Sequence, residues 1–161
     1  MTFEEFVAAR LAALMRYATV VTCDPPLAED VVQDVMIRAQ QRWDHIGALD
    51  KPEFYVKRMI LNEFLSWRRR WAARVGQLHE TLLPAVPDHA GLVDERDALL
   101  RQIAALPPRQ RAVLALRYFD DRSDADIAAL LGCSEATVRS HSSRALAALR
   151  ASYAKEGELA R

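Results

Sequence analysis

Little in this chain suits a catalyst, a metal protein or a membrane protein. It has two cysteines, Cys23 and Cys133, far apart and outside any metal-ligand spacing. They read as buried thiols of a reducing compartment. The histidines, His45, His79, His89 and His141, are scattered, with no nucleophile at motif spacing. Neither a glycine-rich phosphate loop nor a His-Glu-x-x-His pattern occurs. No enzymatic activity, cofactor, metal or small-molecule substrate is therefore expected. No run approaches the roughly 18 apolar residues of a membrane span. The opening Met-Thr-Phe-Glu-Glu-Phe is acidic, unlike the basic start of a signal region. A cytoplasmic protein with no membrane partner is expected. Signals for β-hairpins and for internal repeats are also missing.

Net charge is absent too, with 22 basic and 22 acidic residues, and this at first argues against a nucleic-acid partner. The distribution says otherwise. Between Tyr55 and Arg74 lie six cations (Lys57, Arg58, Arg68, Arg69, Arg70, Arg74) against one acid, Glu63. Between Asp120 and Asp126 the balance is four acids to one arginine. A patch matters more than a sum when the partner is a polyanion.

What is present has the helical period almost throughout. Hydrophobic residues make up 51% of the 161, enough for packed cores. Thr2 and Glu5 form a capping box opening a helix to about residue 22. Asp24-Pro25-Pro26 breaks it, and a second helix runs from about 27 to 42. Residues 43–49 read as a loop. Asp50 and Glu53 look like a second capping box, opening a long helix to about 74. Residues 76–91, with Pro84, Pro87, Gly76 and Gly91, read as a flexible linker. Helices follow at about 92–105, 108–119, 124–131 and 135–153. The expected fold is all-α, with a first small helical domain over 1–75 and a second over 92–161.

Three helix faces carry information. On the long helix after Asp50, Val56, Ile60, Phe64, Trp67 and Trp71 share the core face at about 100° per residue. Tyr55, Arg58, Asn62, Ser66 and Arg69 share the opposite side. That set offers cations for phosphates, an amide and a hydroxyl for base edges, and an aromatic ring for stacking. An ordinary solvated face and, for the Trp67–Trp71 run, an interfacial membrane anchor are the other readings.

The last third reads as helix, Gly turn, helix, the pattern of a helix-turn-helix. Ser134 suits an N-cap and Gly132 a left-handed turn. Val138, Ala145, Leu146 and Leu149 face inward. Ala136, Thr137, Arg139, Ser140, Ser143 and Arg144 face outward, where short side chains permit close approach and arginines reach phosphate or guanine. The third face, on the 27–42 helix, sets Ile37 among Asp30, Gln33, Asp34 and Gln41. An exposed aliphatic residue ringed by acids and amides suits a protein partner, since its charge repels phosphate. A lone exposed isoleucine is the plainer alternative.

In order and spacing these motifs resemble the extracytoplasmic-function (ECF) group of the sigma-70 family, across nearly the whole chain. Residues 28–39, Ala-Glu-Asp-Val-Val-Gln-Asp-Val-Met-Ile-Arg-Ala, are similar to region 2.2. Pro52 to Asn62 and Ser66-Trp-Arg-Arg-Arg-Trp71 are similar to regions 2.3–2.4. Leu106-Pro-Pro-Arg-Gln-Arg111 and Gly132 to Ser140 resemble region 4.

The resemblance implies a sigma-2-like bundle and a sigma-4-like helix-turn-helix. It implies core RNA polymerase as partner, gripped at the β′ clamp helices through Asp30, Gln33, Asp34, Ile37 and Gln41 and at the β flap through region 4. It implies promoter DNA as ligand. The −10 element would be read and melted by Tyr55, Lys57, Arg58, Asn62, Ser66 and Arg69, with a base flipped into the 43–51 loop. The −35 element would be read by Ala136, Thr137, Arg139, Ser140, Ser143 and Arg144. An anti-sigma factor is a further expected partner. Two other classes remain: a sigma-like decoy that binds an anti-sigma factor, and a plain helix-turn-helix regulator.

Overall fold

A computed structural model describes residues 1–76 and 95–160. The linker expected over 76–91 falls, Gly76 apart, outside them. Among the described residues every regular element is helical.

Helix α1, Phe3–Thr22, opens on the expected capping box: the Glu5 amide donates to Thr2 Oγ1 at 3.1 Å and the Thr2 amide to Glu5 Oε2 at 2.8 Å. Asp24 caps α2, Pro25–Gln41, by accepting from the Leu27 amide at 3.1 Å. Both prolines lie inside α2, which therefore begins two residues before Leu27. Their missing amides would have been unpaired there anyway. The stretch expected as a loop holds a single helical turn, α3, Trp43–Ile46. Its reason is packing: Ile46 is buried, and the Trp43 ring lies 5.4 Å from Phe3 and 4.8 Å from Phe6.

Helix α4 spans Pro52–Gly76. The capping box expected from Asp50 and Glu53 gives way to another arrangement, because the Glu53 carboxylate turns inward and accepts from Lys57 Nζ at 2.7 Å. Charge pairing within the fold outcompetes a local cap.

The second bundle comprises α5 (Glu95–Ala104), α6 (Pro108–Leu114), α7 (Asp124–Leu131) and α8 (Glu135–Leu159). After α6 the helix widens into a π turn over Ala115–Phe119, closed by the Asp120 amide on the Ala115 carbonyl at 3.1 Å. Ser123 caps α7, accepting from the Asp126 amide at 3.2 Å. Gly132 then takes the left-handed φ of 68° that ends α7, and Ser134 caps α8 by accepting from the Thr137 amide at 3.1 Å. This is the expected helix-turn-helix, with α8 longer than its apolar pattern suggested.

Helices α1, α2 and α4 pack around Leu14, Val31, Val35, Ile60 and Phe64. Helices α6, α7 and α8 pack around Val113, Leu116, Ile127, Val138 and Ala145. The two bundles also pack on each other, α1 against α6 and α4 against α7, so the buried residues form one cluster. Arg111 ties them together. It is 5% exposed, and its guanidinium donates to the Val21 carbonyl at 2.7 Å and to the Leu106 carbonyl at 2.9 Å. Val21 is near the end of α1, where carbonyls lack a helical partner.

Candidate nucleic-acid interface

The expected α4 stripe is split by the structure. Arg58, Asn62 and Arg69 are exposed, whereas Tyr55 and Ser66 are half-buried. The Tyr55 ring meets His45 edge-on at 6.4 Å, and Ser66 Oγ accepts from Arg70 at 2.7 Å. Lys57 departs furthest from the stripe, being fully buried. Its ammonium is bonded both to Glu53 and to Asp120 of the second bundle. Glu53 also meets Arg122 at 3.4 Å and Arg10 at 3.5 Å. Burial pushes the Glu53 carboxyl up, but the Lys57 bond and the charges of Lys57, Arg10 and Arg122 prevail, leaving it below the ordinary glutamate range.

A sequence signal for this existed. Glu53 and Lys57 are four apart, and Lys57 continues through Leu61 and Phe64 along the core face. Glu63 was not anticipated either: its carboxylate takes Arg38 at 2.7 Å and Arg70 at 3.2 Å, so part of the cationic run is already paired.

Further contacts bring α4 and its preceding loop against the second bundle. Lys51 Nζ lies 2.8 Å from Asp126 Oδ1. That bond is the largest influence on the Asp126 carboxyl and holds it below its usual range. The helix-turn-helix turn approaches Arg58, and a Cβ on Gly132 would come within 3.4 Å of the guanidinium.

The α8 stripe is open by contrast. Ala136, Thr137, Arg139, Ser143 and Arg144 are exposed, and Ser140 is half-buried. Among the described residues Arg139 has only a 3.8 Å pairing with Glu135, both well exposed, a contact of little energetic weight. His141, at the flank, has a buried Nδ1 without a partner among the described residues, and burial followed by the charges of Arg144 and Arg109 lowers its pKa. Val138, Ser142 and Ala145 point inward and fix which face is presented.

On α2 the patch of Asp30, Gln33, Asp34, Ile37 and Gln41 is exposed throughout, with Ile37 at 52%. Beside it runs a shallow apolar groove of about 380 Å³ between α1 and α2, lined by Val7, Leu11, Met15, Val32 and Met36, with Gln33 and Ile37 at its edge. Among the described residues no helix is long and apolar enough to cross a membrane.

Known proteins share this arrangement. Residues 6–74 match the model for Sigma-70 region 2, and residues 96–149 match that for Sigma-70 region 4. The chain is 36% identical over 154 residues to an RNA polymerase sigma-E factor of Streptomyces avermitilis, covering 92% of this chain and 83% of that protein. It is 37% identical over 146 residues to the ECF RNA polymerase sigma factor SigL of Mycobacterium tuberculosis, covering 86% and 81% respectively. Among solved structures, the sigma factor RpoE of Bartonella quintana, in complex with the anti-sigma factor NepR, superposes with a TM-score of 0.70 at 27% identity, over 92% of this chain and 94% of that one. CnrH in complex with the cytosolic domain of CnrY superposes with a TM-score of 0.63 at 25% identity, over 95% and 88%. Both matched regions, their order and their spacing place the chain in the sigma-70 family of RNA polymerase sigma factors, within its ECF group.

Proposed function

We propose that this chain directs promoter-specific initiation by holding two DNA-reading helices on core RNA polymerase. The first step is docking of the α2 patch on the β′ clamp helices. Ile37 supplies the apolar contact, and Asp30 and Asp34 face cations there, a combination that rejects DNA and suits a protein surface. Helix α8 then enters the major groove of the −35 element. Arg139 and Arg144 anchor it to phosphate or guanine, and Ala136, Thr137, Ser140 and Ser143 allow close approach to base edges. Second-bundle contacts to the β flap hold the two lobes a promoter's spacing apart.

At the −10 element, Arg58 and Arg69 neutralise phosphate while Tyr55, Asn62 and Ser66 meet unstacked bases. Flipping a base out costs a few kcal/mol, offset by its pocket and by the cationic surface. The 43–51 segment, stiffened by α3, forms that pocket. Binding energy alone drives melting, so the chain performs no covalent chemistry and uses no cofactor. An anti-sigma factor is the regulatory partner of this reading, as NepR is for the sigma factor RpoE of Bartonella quintana.

The observation that carries this reading is the coexistence, in one short chain, of an open arginine- and hydroxyl-bearing helix on a helix-turn-helix and an exposed acid-ringed Ile37 on a separate bundle. A plain regulator leaves the first bundle without purpose. The test is transcription of fragmented host genomic DNA by core polymerase with and without the protein, with 5′ ends mapped. New starts sharing two upstream sequence blocks are expected. Core binding without new starts would favour the decoy, and loss of core binding would overturn the reading.

A further inference from the structure

The short turn α3 is held from two sides. Trp43 packs on the start of α1: its ring stands edge-on to Phe3 at 5.4 Å and tilts against Phe6 at 4.8 Å. Its Nε1 also donates to the Met1 carbonyl at 3.1 Å. Two residues on, His45 meets Tyr55 of the α4 stripe edge-on at 6.4 Å. One helical turn thus joins α1, through Trp43, to α4, through His45. Gly47 closes the turn, its amide donating to the Trp43 carbonyl at 2.7 Å. Its φ of −65° and ψ of −21° are open to any residue. A Cβ there, however, would come 2.9 Å from Trp43 Nε1. Glycine is needed at this position for the space the indole takes, not for backbone freedom. The indole is gripped both by the rings of α1 and by the backbone of the loop.

We infer that Trp43 is a positioning residue for base capture: the first turns of α1, acting through the indole, hold the 43–51 segment in its receiving shape before DNA arrives. This rests on reading that segment as the pocket for a flipped base. The physical reason is ordering. A loose loop has to be fixed at the moment the base enters, and the entropy lost in fixing it subtracts from the gain of stacking the base. A loop already clamped by an aromatic anchor has lost that freedom on folding. Phe3, Phe6 and the indole therefore contribute by fixing the shape of the pocket, without touching the base. His45 extends the same bracket to Tyr55, so pocket and stripe are set relative to each other by one turn of helix.

The test uses the full chain, with core polymerase saturated by each variant, on the promoter that gives the strongest mapped start. The non-template strand carries a single abasic nucleotide at each position of the −10 block in turn. With the unmodified chain, removing the captured base should lower initiation about tenfold or more. With Phe3→Ala, and with Gly47→Ala, the same removal should cost less than about threefold, because the base then enters a pocket that is not held ready. Phe3 is half-buried at the first residue of α1, so its truncation is the milder change to the fold. Trp43→Phe/Gly47→Ala makes room for the methyl group while keeping a ring against Phe3 and Phe6, and should recover most of the abasic penalty. Val20→Ala, near the other end of α1, loses buried methyl groups away from Trp43 and should leave the penalty unchanged, which separates positioning from loss of stability. A penalty in Phe3→Ala equal to that of the unmodified chain would overturn the inference while leaving the pocket in place. If no abasic position weakens the unmodified chain, the pocket reading itself falls, and the inference with it.

Discussion

Helices α4 and α8 carry similar outward-facing chemistry, arginines with short polar residues, but their surroundings differ. The α8 stripe faces solvent. The α4 stripe lies partly beneath the second bundle, with one of its cations fully inside. The comparison shows that helical periodicity reports which residues a single helix turns away from its own bundle. It does not report what a neighbouring bundle brings to that face.

The sharpest way to break the comparison is to remove a cation from each helix. Replacing Lys57 by Met leaves Glu53 and Asp120 facing each other in a poorly solvated contact, and stability should fall by about 3–5 kcal/mol. Arg139→Ala on α8 should change stability by less than about 0.5 kcal/mol. Urea unfolding of both variants decides the matter, and equal losses would mean that the Lys57 cluster contributes nothing to cohesion.

In transcription, Arg58→Ala/Asn62→Ala should lower initiation about 100-fold, as expected for losing two contacts of roughly 1–3 kcal/mol each. Core polymerase affinity should be untouched, since the α2 patch lies elsewhere. Normal initiation by that variant would remove α4 from the −10 assignment.

A smaller effect is expected at the start of α8. Ser134→Ala removes the side-chain acceptor of the Thr137 amide and should cost about 1 kcal/mol. Thermal unfolding will show the loss, and unchanged promoter contacts would show that the cap sets stability rather than recognition.

The mildest perturbation is pH. The folded-state pKa of Glu53 lies below the ordinary glutamate value of 4.5, so the folded chain binds fewer protons there than the unfolded one. Its contribution is complete above that value and is lost as pH falls through the lower folded value. Unfolding curves between neutral and acid pH should steepen in that window, and Glu53→Gln should flatten them. An unaltered profile in Glu53→Gln would place the acid sensitivity elsewhere.

The helices themselves were largely legible. Thr2 and Ser134 each cap a helix as expected, and Gly132 ends α7, because these devices depend on residues within one turn. The turn at Trp43–Ile46 was not legible, since it exists to pack Trp43 on Phe3 and Phe6 from a distant helix. Glu53 was misplaced for a related reason. A carboxylate three residues after Asp50 satisfies the capping pattern, but three basic side chains from different elements hold it more strongly. Arg111, part of a recognisable region 4 motif, gave no sign that it would bond to Val21 across the bundles.

By itself, then, the sequence determined an all-α chain, the caps at Thr2 and Ser134, the Gly132 turn, the inward stripes of α2 and α8 and that of α4 as far as Trp67 (Trp71, expected inward, is 39% exposed), and membership of a sigma family. The helices, caps and stripes follow from short-range spacing and from the 3.6-residue period, and the membership from motifs that resemble the family's. Only the tertiary structure decided that Asp120 and Asp126 face cations of the other bundle, and that the α2 patch stays open while α4 is partly covered. Those outcomes depend on charges more than sixty residues apart along the chain meeting where solvent is largely excluded. Ion pairs of that kind are set by how two surfaces pack, and no local pattern encodes them.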